Sequence, residues 1–304
     1  MFVGREAELA KLESLYEQRS FQMAVVYGRR RVGKTTLINE FCRGKRTLSF
    51  TALEQSDADN LADFNRAIAS FFNLPASLGG FSSWTDALSF IADRARAERF
   101  VFVFDEFPYA AMRNEALSSI FQVAIDRAFK ETSAFLILCG SNQGFMESSV
   151  LGRKSPLFGR RTAQIKVHDL GFKDAAKMLP GLSAQDAFKF YGCFGGVPYY
   201  LQQLDSSVGL KENLARLYFD PMGFLYGEPE GLIRQEFQEP AIYNSILRAV
   251  AAGANRAKQI ADRVGIAQTT LPRYLKALES VGIIEKAVPF GENPETSKRG
   301  IYRL

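Results

Sequence analysis

The chain has 304 residues, of which 47% are hydrophobic and 23% are charged, and its formal net charge at pH 7 is +5. This length and apolar content are sufficient for buried cores in two or three domains, and they exclude a disordered or low-complexity chain. The modest basic excess permits nucleic-acid binding but does not establish it.

The composition also disfavours a membrane protein and a disulfide scaffold. No apolar run has the length of a transmembrane helix, and no charged segment followed by an apolar one precedes the first predicted helix. Cys42, Cys139 and Cys193 are too far apart to indicate a metal knuckle or a disulfide framework. We therefore expect reduced thiols, a cytoplasmic location and no membrane partner.

A strand, a glycine loop and a helix follow one another near the N-terminus. The segment 2–6 predicts a turn and a helix cap, and the apolar run 23–27 predicts a buried parallel strand. Leu37, Ile38 and Phe41 then repeat at helical spacing. The loop between strand and helix fits the G-x-x-x-x-G-K-S/T pattern of a P-loop at every fixed position, as Gly28-Arg29-Arg30-Arg31-Val32-Gly33-Lys34-Thr35.

The residue types of this loop suit phosphate binding. Gly28 and Gly33 let the backbone turn so that its amides point at an anion, and the following helix adds its positive end. Lys34 is expected to reach the phosphates, and the Thr35 hydroxyl to bind Mg²⁺. Thr36 completes the set of expected nucleotide contacts. A chance glycine-rich turn is the alternative interpretation.

A second strand is predicted at 47–52, helices at 60–72 and 84–97, and a buried strand at 100–104 that ends in two acidic residues. Ligands gather at the carboxyl edge of parallel sheets, so these carboxylates are expected beside the P-loop. Asp105 would then hold Mg²⁺, and Glu106 would act as general base toward water. A solvated acidic turn is the alternative. The sequence has no N-K-x-D guanine motif, which favours ATP over GTP.

Two further polar sites follow. After a helix at 115–130 and a strand at 134–139, either Ser141 or Asn142 can contact the γ-phosphate and the lytic water, unless both are ordinary turn residues. A basic loop at 152–161 precedes a last strand at 163–167. We prefer Arg160 in this loop as an arginine finger, acting in cis or from another subunit of a homo-oligomer. The alternative is a solvent-exposed basic loop.

The remainder of the chain predicts short helices and then a winged helix-turn-helix. The motif around Pro198 follows two glycines and precedes an aromatic helix. Three helices and two strands from residue 240 onward have the order of a winged helix, whose third helix is predicted at 268–281. The side chains expected to contact double-stranded DNA are Thr269, Thr270, Arg273, Tyr274 and Lys276, with Lys298 in the wing. Protein docking is the alternative use of this domain.

Seven features in fixed order are similar to the archaeal-type ATPase family, which belongs to the STAND/AAA+ P-loop ATPases. They are F-V-G-R-E, Y-G-R-R-R-V-G-K-T-T, F-V-F-D-E-F, L-C-G-S, S-P-L-F-G-R, G-G-V-P-Y-Y-L and the terminal winged helix. The resemblance covers nearly the whole chain and implies ATP and Mg²⁺ as ligands. It implies that Phe2, Val3 and Arg5 lie on the adenine side of the nucleotide, and that Pro198 packs near the adenine and couples a lid to nucleotide state. It also identifies the polar residue at 141 or 142 with sensor 1.

The expected architecture is an α/β P-loop NTPase fold of ASCE/AAA+ type, with helices on both faces of a parallel sheet. The expected domains are a P-loop ATPase at 1–170, a helical lid at 171–238 and a winged helix-turn-helix at 239–304. Many members of the family carry a further nuclease-like domain, which this sequence lacks, so no nuclease activity is expected from these residues.

Two functions compete on this sequence. One is an ATP-hydrolysing switch whose nucleotide state controls the winged helix; the other is a DNA-binding or protein-docking regulator that holds ATP as a structural ligand. The pair Asp105-Glu106 and the candidate finger favour the first. A small-molecule P-loop kinase is disfavoured by the winged helix.

Overall fold

The computed structural model describes residues 2–75, 79–293, 296–297 and 299–304 of the chain. The chain divides into two compact units, Met1–Leu204 and Asp205–Leu304. The helices that follow the last strand therefore belong to the first unit as far as Leu204. The finer division at 170 and 238 stays a prediction.

The first unit is an α/β layer structure. Its helices and strands are α1 (Glu6–Tyr16), β1 (Gln22–Tyr27), α2 (Lys34–Cys42), β2 (Thr47–Thr51), α3 (Asp57–Phe72), α4 (Trp84–Ala97), β3 (Val101–Asp105), α5 (Phe107–Arg113), α6 (Leu117–Arg127), β4 (Phe135–Gly140), α7 (Gln143–Phe145), β5 (Ala163–Lys166), α8 (Phe172–Lys177), α9 (Ala184–Phe194) and α10 (Pro198–Leu201). A 3₁₀ turn at Phe129–Glu131 and a π-helical turn at Met146–Val150 complete it.

The five strands form one parallel sheet in the order β2-β3-β4-β1-β5. Strand β4 thus lies between the strand that leads into the P-loop and the strand that ends in Asp105. Every residue of β1, β3 and β4 is buried, as expected for strands covered by helices on both faces. The predicted α/β P-loop fold is confirmed.

Alternate residues of β1 divide between two hydrophobic cores. Met23, Val25 and Tyr27 face one core, which includes the aromatic residues of α3 and α4. Ala24 and Val26 face the other, which includes the buried face of α2. This division follows from the two-residue side-chain period of a strand, and it explains the unbroken apolar runs in the sequence.

The long helix predicted at 115–130 is shorter than expected, and α5 is an additional helix that the sequence analysis missed. Pro108 is one of the first residues of α5, where a missing N–H costs no helical hydrogen bond. Trp84 is 2% exposed and its ring stacks on Phe64, so the tryptophan is a packing residue.

The second unit is helical with a small hairpin. Its elements are α11 (Leu210–Leu214), a π-helical turn (Ala215–Phe219), α12 (Glu228–Glu236), α13 (Pro240–Ala251), α14 (Ala257–Val264), α15 (Leu271–Ser280), β6 (Glu285–Ala287) and β7 (Ile301–Arg303). The two strands pair antiparallel. Helix α15 begins at Leu271 rather than at 268, because Pro272 favours the start of a helix over its interior. Among the described residues, no helix is both long and apolar enough to cross a membrane.

Candidate nucleotide site and helix-turn-helix surface

The P-loop joins β1 to α2 with little space for side chains. A Cβ atom on Gly28 would lie 2.3 Å from the Val167 carbonyl oxygen, so the loop requires glycine there. Gly33 caps α2 in the left-handed region with a φ of 93°. Lys34 is 6% exposed, and its ammonium group donates to the carbonyl oxygens of Gly28 at 2.9 Å and of Arg29 at 3.0 Å.

The two residues expected to hold a metal ion lie side by side. The Thr35 hydroxyl donates to Asp105 Oδ2 at 3.3 Å, and Asp105 is 8% exposed. Asp105 Oδ1 accepts a hydrogen bond of 2.9 Å from the backbone N–H of Glu106. One hydroxyl and one carboxylate beside a phosphate loop fit Mg²⁺, which is usually held by few protein oxygens together with phosphates and water.

The order of the strands brings Ser141 to Glu106. Because β4 lies between β1 and β3, the residue after β4 is placed between the P-loop and the acidic pair. Glu106 Oε2 accepts two hydrogen bonds from Ser141, one from the backbone N–H at 3.0 Å and one from the hydroxyl at 2.9 Å. Ser141 is 2% exposed.

Asn142 has a different local role. Its side-chain oxygen accepts a hydrogen bond of 2.9 Å from the Phe145 N–H and so caps the short helix α7. The sequence could not distinguish Ser141 from Asn142, but the structure separates them by their contacts. Of these two residues, Ser141 is the one described as hydrogen-bonded to the candidate general base.

Each of the three consecutive P-loop arginines contacts a different element. Arg29 forms an ion pair with Asp169, which follows β5, with Nε 3.0 Å from Oδ1. Arg30 donates to the Tyr109 hydroxyl on α5 at 2.5 Å. The guanidinium of Arg31 lies over the rings of the two tyrosines of α10, at 5.3 Å from the Tyr199 centroid and 5.9 Å from that of Tyr200. The sequence analysis did not predict these partners. For the Arg31 contact, the signal in the sequence was that Tyr199 and Tyr200 both belong to the G-G-V-P-Y-Y-L motif.

The N-terminal motif also reaches the P-loop. Arg5 has a left-handed backbone with a φ of 70°, and its guanidinium donates to the Val32 carbonyl oxygen at 3.1 Å and to the carbonyl oxygen of His168. Phe2 is half-buried against the core beneath α2, and Val3 is half-buried. The motif thus joins the loop to the end of β5.

The start of α10 lies beside the P-loop, and the segment before it lies against the residues that follow β5. A Cβ atom on Gly33 would be 3.9 Å from Pro198 Cγ. A Cβ atom on Gly196 would be 2.0 Å from the Leu170 carbonyl oxygen, so this approach requires glycine. The structure therefore brings Pro198 beside the loop that the sequence assigns to phosphate.

Arg160 is held on the surface of α6. Its Nη2 lies 2.5 Å from Asp126 Oδ2, and its Nη1 donates to the Pro156 carbonyl oxygen at 2.7 Å. Hydrogen bonds from Arg160 and Lys130 lower the pKa of the Asp126 carboxyl. The role of Arg160 as an arginine finger stays a prediction.

The helix-turn-helix surface is less constrained than the sheet edge. Thr269 and Thr270 are exposed in the turn before α15, and Arg273 and Lys276 are exposed on the helix itself. Arg273 Nη2 donates to Glu239 Oε2 at 2.8 Å. Tyr274 corrects an expectation: it is 3% exposed and packs in the core of this unit, so its ring is not offered to a groove. Lys298 lies outside the described residues.

The chain belongs to the family described as ATPase domains found predominantly in Archaea, which matches residues 2–204. An IclR helix-turn-helix domain matches residues 245–287. The family resemblance seen in the sequence is therefore confirmed, and the chain combines an archaeal ATPase domain with a helix-turn-helix.

Comparisons with individual proteins agree with this assignment. An uncharacterized protein of Methanocaldococcus jannaschii is 33% identical over 306 residues, which cover 100% of this chain and 66% of that protein. The Walker-type ATPase of Pyrococcus abyssi has a similar fold, with a TM-score of 0.68, 20% identity and coverage of 100% of this chain and 93% of that one. The Aeropyrum pernix ORC2 protein, solved as ADPNP-ADP complexes, gives a TM-score of 0.60 with 16% identity over 99% of this chain and 89% of its own.

The Aeropyrum pernix ORC1 protein in complex with DNA gives a TM-score of 0.51 with 16% identity, over 100% of this chain and 90% of that one. At these identities the likeness concerns the fold. The chain spans 66% of the length of its relative from Methanocaldococcus jannaschii.

Proposed function

We propose that this chain binds ATP together with Mg²⁺ and hydrolyses the ATP slowly, or when stimulated by a partner, as a molecular switch. Nucleotide state then controls a helix-turn-helix domain that binds double-stranded DNA. The observation that carries the ATPase proposal is the pair of hydrogen bonds from Ser141 to Glu106, directly beside the contact between Thr35 and Asp105.

The catalytic roles follow from the positions of these groups. Lys34 gives up its contacts with the loop carbonyl oxygens and pairs with the phosphates, since charge-assisted bonds to phosphate are stronger. Thr35 and Asp105 hold Mg²⁺, which neutralises charge on the phosphates. Glu106, oriented through its Oε2 by Ser141, takes the proton of the attacking water.

The adenine side is assigned to Phe2, Val3, Arg5 and Pro198. Support comes from the Arg5 bond to Val32 and from the approach of Pro198 to Gly33, which connect both motifs to the P-loop. Arg160 is retained as the candidate finger, acting in cis or across a homo-oligomer. It would first have to leave Asp126.

The DNA proposal assigns the groove contacts to Thr269, Thr270, Arg273 and Lys276. All four are exposed, and they lie in or just before the third helix of the helix-turn-helix, the position from which such domains read the major groove. The match to a helix-turn-helix domain over residues 245–287 supports this choice over protein docking.

The test is ATP hydrolysis by the purified chain with and without duplex DNA, with Lys34→Ala as the blank. We expect turnover that DNA stimulates and that the variant loses. ATP that binds and is not hydrolysed under either condition would favour the regulator that holds ATP as a structural ligand. Failure to bind ATP would overturn both.

A further inference from the structure

We propose that Arg31 and Tyr199 form the contact through which an occupied P-loop positions the α10 segment. The inference rests on the proposed ATP binding and adds to it the side chains that transmit the nucleotide state. Both are positioning residues, because they act through the loop and the helix rather than on the reacting atoms.

Arg31 connects two structural roles in one residue. Its backbone belongs to the phosphate loop and adopts a left-handed conformation with a φ of 71°. Such a conformation is costly for a residue with a side chain, so it persists only where the surroundings impose it. Its guanidinium leaves the loop and lies 5.3 Å from the Tyr199 ring centroid and 5.9 Å from that of Tyr200.

The receiving segment is short. Helix α10 has four residues, and its described hydrogen bonds include local ones from the N–H groups of Tyr200, Leu201 and Gln202 to the carbonyl oxygens of Val197 and Pro198. Pro198 lies beside Gly33 of the same loop. The described approaches of this segment to the P-loop therefore include that of Pro198 to Gly33 and that of the tyrosine rings to Arg31. The Arg31 contact is a cation–π interaction, which depends on the side chains on both sides.

The neighbouring arginines have described partners elsewhere, Asp169 for Arg29 and Tyr109 for Arg30. Arg31 is the loop arginine whose guanidinium is described over the α10 rings. When phosphates fix the loop amides, the backbone of Arg31 becomes more rigid, and its side chain restrains α10 as well. Nucleotide binding is thus expected to stabilise α10 through this contact.

The experiment is amide hydrogen exchange of the full chain with and without Mg²⁺ and the non-hydrolysable ATP analogue AMP-PNP. In the wild-type protein, we expect the analogue to slow exchange in the loop 28–35 and, on the order of tenfold, at Tyr200, Leu201 and Gln202. Tyr199→Leu removes the nearer of the two rings and should reduce the slowing at α10 while the slowing in the loop remains. Tyr199→Phe keeps the ring and should behave like the wild-type protein.

Three arginine variants supply the reciprocal test and its controls. Arg31→Gln should abolish the slowing at α10, and Arg31→Lys should restore it because the positive charge is retained. Arg94→Gln removes an exposed arginine that lies over the Phe90 ring, outside the P-loop, and should retain the slowing at α10. If Tyr199→Leu shows the same slowing at α10 as the wild-type protein, the inference is wrong.

The same data separate this inference from the proposed function. Slowing in the loop without slowing at α10 in the wild-type protein would overturn the inference and leave ATP binding standing. No slowing in the loop would overturn ATP binding and the inference together.

Discussion

The sheet edge of the first unit and the helix-turn-helix of the second hold their candidate residues in opposite ways. Lys34, Asp105 and Ser141 are each at most 8% exposed and hydrogen-bonded within the site. Arg273 and Lys276 are exposed. A buried polar group must be paired, so the pairing restricts the chemistry of the first site. Exposed side chains can rotate, so the second surface specifies a partner mainly by charge and position.

The largest expected effect is on ATP turnover at the buried site of the sheet edge. Glu106→Gln should reduce ATP turnover by about 10²–10⁴-fold, because it removes a general base. ATP binding should remain, since a glutamine oxygen can still accept the two bonds from Ser141. Phosphate release and nucleotide binding measure the two effects. Glu40→Gln, at a surface ion pair on α2, is the matched control, and unchanged turnover in Glu106→Gln would remove Glu106 from the mechanism.

A stability measurement extends the comparison to packing. Phe64 is fully buried, with its ring stacked on Trp84 and Phe102. Phe64→Ala should lower the free energy of unfolding by about 3–5 kcal/mol, measured by urea denaturation. Phe290, in the second unit, is fully exposed, and Phe290→Ala should change the free energy of unfolding by less than about 0.5 kcal/mol. Similar losses for both would contradict the described core.

The affinity for duplex DNA tests the exposed residues of the helix-turn-helix. Arg273→Ala should weaken binding to duplex DNA by about 1–3 kcal/mol at fixed salt, if its guanidinium leaves Glu239 to contact a base edge. Arg248→Ala is the control, because Arg248 is also an exposed arginine paired with a carboxylate, Glu230, in the same unit. Fluorescence anisotropy measures both. Equal affinities for Arg273→Ala and the wild-type protein would favour protein docking over DNA binding as the role of this domain.

The smallest expected effect comes from the surface of the first unit. Arg160 and Lys130 lower the pKa of Asp126 in the folded state, so the ionised carboxylate stabilises the fold above the unfolded pKa. That stabilisation is lost as the pH falls through the lower, folded-state pKa. Asp126→Asn should therefore cost less than about 1 kcal/mol at pH 7, and the difference from wild type should shrink below about pH 4. A difference in urea midpoint that stays constant with pH would contradict this pairing.

Local patterns were sufficient for most elements because burial on both faces leaves a direct trace in sequence. The apolar runs that became β1, β3 and β4 and the helix at Trp84–Ala97 were predicted to within one residue at each end. The P-loop could also be identified from a local pattern, because the close approach of Val167 admits only glycine at position 28. Helix α5 was missed because its seven residues are too few to show a helical period.

The sequence by itself determined the fold class, the family and the residue types of both candidate sites. Only the tertiary structure decided which of these residues meet. It showed that β4 separates β1 from β3 and so places Ser141 on Glu106, that Tyr274 belongs to a core, and that three adjacent arginines have three different partners. Strand order and side-chain pairing depend on contacts between residues far apart in the chain, and a local pattern carries no information about them.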